Sequence, residues 1–154
     1  MQTYRIALFG HRELSSYRKA EMRLERVLRE ALQRRGSIEV YIGRNGEFDE
    51  LAASVVKRLS RAVGAECCEM TLILPYFSGK IEYYERYYDR VLIPEEVWRL
   101  HPKRAIEARN RFMVEQSDLC VCYVEKPSGG AAKALAYAKA LGKETVNLSL
   151  DEPD

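Results

Sequence analysis

Arg109 is the residue whose placement is hardest to explain by folding alone. In "KRAIEARNRFMVEQ" (103–116) it falls three positions after Ile106 and four before Met113. A helix therefore puts it on the same stripe as those two apolar residues, with Asn110 beside it. A guanidinium turned toward a core costs several kcal/mol unless it is paired. The partner is either internal, an acid or a snorkelling path to water, or it is the phosphate or carboxylate of a ligand, which the planar fork suits. A second group is Ser128, Gly129, Gly130 and Ala131, set between the apolar run "DLCVCYV" and the amphipathic "AAKALAYAKALGK". Two glycines let an oxyanion reach backbone N–H groups at a helix start, where the dipole is positive. Lys126 and Lys133 flank the position and no acid lies in the first turn. The plainer alternative is a tight strand-to-helix turn.

Other loops carry complementary chemistry. "GRNGEFDE" (43–50) holds Glu47, Asp49 and Glu50 at the start of a further helix. Acids there stabilise a helix by themselves. They would repel phosphate, so any ligand group at Gly43, Asn45, Gly46 and Asp49 is expected to be a ribose or base. Catalysis, if any, has Glu47 and Asp49 as its candidates, with no residue assigned. "GHRE" places His11 and Arg12 directly after Gly10, where the imidazole can donate a hydrogen bond, act as a base or serve a structural role.

These groups must be positioned by a single domain. The chain has 154 residues, enough for one full core. Its formal charge of +2 gives little reason to expect a nucleic-acid partner. No apolar run approaches a membrane span, and the N-terminal residues read as a strand rather than a signal peptide, so a cytoplasmic location is expected. The cysteines occur as Cys67–Cys68 and Cys120–Cys122, without the two-residue spacer of zinc or redox motifs. They predict buried thiols and no metal, and no cofactor is expected.

Apolar runs alternate with helical periodicity. Strands are predicted at 4–9, 38–42, 70–76, 119–124 and 145–150, and helices at about 16–35, 48–63, 103–116 and 130–141. The order between residues 77 and 101 is not legible. Nearly pure apolar strands suit a sheet buried on both faces, so the expectation is an α/β, Rossmann-like, mostly parallel sheet of five strands with helices on both faces. Each of the first four strands is followed by a glycine-bearing loop, and a parallel sheet would gather those loops on its carboxyl edge. The stretch 75–98 contains Tyr76, Phe77, Tyr83, Tyr84, Tyr87, Tyr88 and Trp98, read as a cover over that crevice and a homo-oligomer contact.

The segment from Ala108 to Lys143, with "FGHRE" and "VYIGRNGEFD" upstream, resembles the SLOG superfamily, which includes the lonely-guy phosphoribohydrolases and DprA. The nearest likeness is to a small bacterial branch related to YpsA and YoqJ. The resemblance implies a Rossmann-like domain over the whole chain, 1–154, binding a nucleotide-derived small molecule. Arg109 before Met113 matches a substrate-holding arginine, and Gly129 and Gly130 match the phosphate-binding glycines. The family's later glycine-threonine step and catalytic glutamate are replaced by Ala132, Lys133, Leu135 and Ala136. The resemblance therefore favours a sensor or carrier. The alternatives are an N-glycosidic hydrolase or transferase using Glu47 or Asp49, and a protein-interaction module without a small ligand.

Overall fold

The computed structural model describes residues 3–151. Six strands, β1 (Tyr4–Gly10), β2 (Ile38–Ile42), β3 (Cys68–Ile73), β4 (Arg90–Leu92), β5 (Leu119–Tyr123) and β6 (Glu144–Asn147), form one sheet. Its order is β4-β3-β2-β1-β5-β6 and every pairing is parallel. The helices are α1 (Tyr17–Arg35), α2 (Glu47–Val63), α3 (Ile81–Tyr87), α4 (Glu95–Trp98), α5 (Pro102–Glu115) and α6 (Gly130–Ala140).

The central strands are buried on both faces, which is why they read as apolar runs rather than alternations. Ile6, Leu8, Val40, Ile42 and Val121 point to one face, where Leu24 and Leu28 of α1 and Leu51, Val55 and Leu59 of α2 cover them. Ala7, Phe9, Tyr41, Cys120 and Cys122 point to the other, under Met113 and Val114 of α5 and Ala134, Leu135 and Ala138 of α6. Ser16 caps α1 by accepting from the Lys19 N–H at 3.3 Å. Burial pushes the Cys68 and Cys120 thiols up to about 11 and that of Cys122 to about 12.

The sheet has six strands, not five. The additional strand, β4, lies in the stretch left unassigned from sequence. Its three residues pair with Thr71, Leu72 and Ile73 at the sheet edge. So short an edge strand offers no periodicity to detect, and only the backbone of β3 defines it.

The aromatic stretch also differs from expectation. Tyr84 of α3 is buried against Leu72 and Leu74, and its hydroxyl accepts from Arg44 at 2.7 Å. Tyr76, Phe77, Tyr83 and Trp98 remain exposed, with Phe77 and Trp98 edge to face at 5.6 Å. Among the described residues, none of these aromatics lines the cleft at the carboxyl edge, so they do not cover it. Among the described residues, no helix is long and apolar enough to cross a membrane.

Candidate functional site

β1 and β5 are neighbours, yet the chain leaves them toward opposite faces. β1 leads to α1 and β5 leads to α6, so the two loops part at the carboxyl edge. Parallel sheets open a crevice at such a reversal of strand order. Here it is a cleft of about 390 Å³.

Gly10, His11 and Arg12 from the first loop border it, Asn45 and Asp49 come from the start of α2, and Arg109 and Asn110 from α5. Gly129, Gly130 and Ala131 close it at the start of α6. Phe9 and Ile106, which the apolar pattern assigns to the core, also line it. Among the described residues, Gly43, Gly46, Glu47 and Ser128 are not part of this lining. The exposed carboxylate of Glu47 faces the Leu14 N–H at 3.5 Å, outside the cleft.

Arg109 is 4% exposed. Its Nε–H donates to Asn110 Oδ1 at 2.9 Å and Nη1 donates to the Ile73 carbonyl at 3.1 Å. Nη2 reaches the Asn45 side-chain oxygen at 3.0 Å in the amide orientation that satisfies both ends of Asn45. All three acceptors are neutral. A guanidinium has five N–H donors, so two are left over. Asp49 acts on Arg109 through space: burial lowers the Arg109 pKa, and the Asp49 charge and then Tyr76 oppose that. Burial in turn raises the Asp49 pKa, against the Asn45 N–H that donates to its Oδ2 at 2.8 Å and against Arg109. Gly43 makes this arrangement fit, because a Cβ there would lie 2.8 Å from Arg109 Nη1 and 3.2 Å from Asp49 Oδ2.

The start of α6 is different in kind. Gly129 is its N-cap, at φ +101°, a conformation that side-chain-bearing residues rarely adopt. Among the described residues, no side chain caps the helix, and no acid lies in its first turn. A Cβ on Gly130 would lie 3.6 Å from Asn110 Nδ2, so the Asn110 side chain that accepts from Arg109 sits next to the helix start.

His11 serves as an acceptor. Its Nε2 receives the N–H of Glu125 at 2.9 Å and of Lys126 at 3.1 Å. Burial lowers its pKa, the Lys126 charge lowers it further, and Glu125 opposes them. A second tie joins the same loops: Tyr123 OH donates to Glu125 Oε1 at 2.7 Å, and Ser15 Oγ bonds both groups. Ser15, Tyr123 and Glu125 had no signal in the sequence, since only the β1–β5 pairing brings them together.

Beyond Ile106, Asn110 and Gly130 the cleft continues into a chamber of about 490 Å³ between α5 and α6. Lys103, Lys133 and Tyr137 stand around it.

No protein-family model matches the sequence, and no curated protein does. Solved structures do share the fold. TM1055 superposes with a TM-score of 0.61 at 19% identity over 93% of this chain and 72% of its own. The molybdenum cofactor binding protein of Rippkaea orientalis gives 0.61 at 18% identity, over 94% of this chain and 76% of its own. DprA of Helicobacter pylori, described for its single-stranded DNA binding mode, gives 0.61 at 16% identity over 92% of this chain. The chain shares the Rossmann-like α/β fold of these structures. It spans 63% of that DprA, so the likeness concerns one unit of a longer protein.

Proposed function

We propose that the carboxyl-edge cleft binds a nucleotide or nucleotide-sugar-derived small molecule, as a sensor or carrier would. One observation carries the reading. A nearly buried guanidinium bonded only to neutral acceptors lies in the same cleft as an uncapped, acid-free helix start. Both features favour an anion, and phosphate is the anion that a helix N-terminus and an arginine fork best accommodate. Asp49 and Asn45, which also line the cleft, suit sugar hydroxyls or a base edge. The resemblance to the SLOG superfamily, and the cofactor and single-stranded DNA bound by two proteins that share the fold, support a ligand in this region.

Isothermal titration against mononucleotides, dinucleotides and nucleotide sugars tests the reading. A specific ligand at 100 times its Kd adds about 2.7 kcal/mol of stability. No heat and no stabilisation from any of them would leave a protein-interaction module as the better account. Single-stranded DNA belongs in the same titration, because the DprA relative binds it. A steep fall of affinity with salt would mark that ligand instead.

An N-glycosidic hydrolase or transferase is the second reading, and Asp49 is the observation behind it. Its carboxylate lines the cleft, and a carboxylate can stabilise a cationic sugar. Release of free base from nucleoside monophosphates, lost in Asp49→Asn, would establish it. Self-association through the exposed Phe77–Trp98 pair belongs to the same proposal, with sedimentation of Phe77→Ser as its check.

A further inference from the structure

We propose that His11 is a positioning residue whose neutral imidazole latches the loop between β5 and α6, so that anion binding at the α6 start is released by protonation. The inference rests on the binding reading above. It goes beyond it by giving that site a regulator.

Two consecutive backbone amides, those of Glu125 and Lys126, converge on the single Nε2 of His11. An atom that accepts hydrogen bonds carries no proton, so the neutral ring holds its proton on Nδ1. The amides belong to the loop that runs on through Ser128 into Gly129 and Gly130. His11 is itself fixed by its own N–H, which donates to the Tyr123 carbonyl at 3.3 Å. The latch therefore joins the two loops that part at the strand-order reversal and that both line the cleft.

Protonating Nε2 turns the acceptor into a donor. Both amide bonds are lost together, and a cation then faces two N–H dipoles. The charged groups around the ring do not all favour the same state. Lys126 opposes a positive His11 and Glu125 favours it, while Arg12, Arg109 and Asp49 line the same cleft. Burial adds to the opposition, so the folded-state pKa lies below its ordinary 6.5. Stability from the neutral ring is thus complete above the unfolded-state value and is lost as pH falls through the folded one. Glu125 keeps its bonds to Ser15 and Tyr123 in either state, so the loop loosens at its glycine end rather than detaching.

Glutamine and alanine at position 11 separate the roles of the ring. Gln places an amide oxygen near the position of Nε2 and does not titrate, whereas Ala removes the acceptor at every pH. The first measurement needs no ligand: 15N NMR of the free protein from about pH 7.5 to about pH 5. The Glu125 and Lys126 amides are expected to titrate together with the His11 ring nitrogens, with one midpoint below the ordinary histidine value. In His11→Gln those amide shifts stay flat. A ring that titrates while both amides stay still, or a proton found on Nε2 at neutral pH, overturns the latch.

The second measurement is calorimetry with adenosine 5′-monophosphate. The phosphate's own second proton titrates near pH 6, so wild type and His11→Gln are compared at each pH. Wild-type affinity is expected to fall about tenfold further than that of His11→Gln across the range, the equivalent of one to two hydrogen bonds. His11→Ala is expected to be weak throughout. Equal slopes in wild type and His11→Gln, or tighter wild-type binding at low pH, overturn the gating. Coupled amide shifts without any nucleotide binding would uphold the latch and refute the gating together with the binding reading.

Discussion

The starts of α2 and α6 line one cleft and solve the same electrostatic problem in opposite ways. α2 begins with Glu47, Asp49 and Glu50, so its positive dipole end is neutralised by its own sequence. α6 begins with glycines and alanines, has no side-chain cap and has no acid in its first turn. Capping a helix start with a polar side chain typically contributes about 1 kcal/mol, and α6 does without it. The difference teaches that the cleft is polarised: hydroxyl-accepting on the α2 side, anion-accepting on the α6 side. Arg109 is held between them by Asn45 on one side and Asn110 on the other.

The comparison breaks first at Arg109. Arg109→Leu removes three hydrogen bonds and the positive charge that Asp49 feels, and should lower stability by about 3 kcal/mol in urea denaturation. Next comes Gly130→Asp, which converts α6 into a second α2. It should weaken nucleotide binding by about 100-fold in calorimetry, through charge repulsion at the dipole end. Its melting temperature should hold or rise, since a Cβ at Gly130 meets Asn110 only at ordinary contact distance.

Asp49→Asn sharpens the contrast from the other side. Burial raises the Asp49 pKa above 3.8, so the folded chain keeps that proton to higher pH than the unfolded chain. Stability from this group is full below 3.8 and declines as pH rises through the folded value. The variant should therefore be more stable than wild type at neutral pH, with the gain vanishing toward pH 4. Anion affinity should rise severalfold as a repelling charge is removed. Paired thermal melts across pH measure the first effect and calorimetry the second. Glu47→Gln is the smallest change. Its carboxylate lies outside the cleft, so stability should move by under about 0.5 kcal/mol and ligand affinity by less than about twofold. A large loss of affinity there would mean that the α2 start reaches the ligand by a different geometry.

Five of the six strands were legible, most of them as largely apolar runs that end in glycine-bearing loops, whereas β6 is short and partly polar. The four long helices were legible through 3.6-residue periodicity. The stretch 77–101 was not, since a seven-residue helix, a three-residue edge strand and a four-residue helix are each too short for a period to register. The site divides in the same way. Arg109 stood out because a charge on an apolar stripe conflicts with its own pattern. Gly10 was read as a backbone exposed to ligand, yet it also makes room for Phe48, whose Cγ would lie 2.4 Å from a Cβ there. No local pattern distinguishes those two reasons for a glycine.

By itself, the sequence determined which helix starts carry acid and which do not, where apolar runs alternate with glycine-ended loops, and that one arginine faces inward. Those are properties of residues within a few positions of one another. Only the tertiary structure decided that strand order reverses between β1 and β5, that Arg109 is bonded by Ile73, Asn45 and Asn110, and that His11 holds the amides of Glu125 and Lys126. Apart from the bond between the chain neighbours Arg109 and Asn110, such contacts join residues 36 to 115 positions apart, whose meeting depends on the order of strands in the sheet rather than on any local preference.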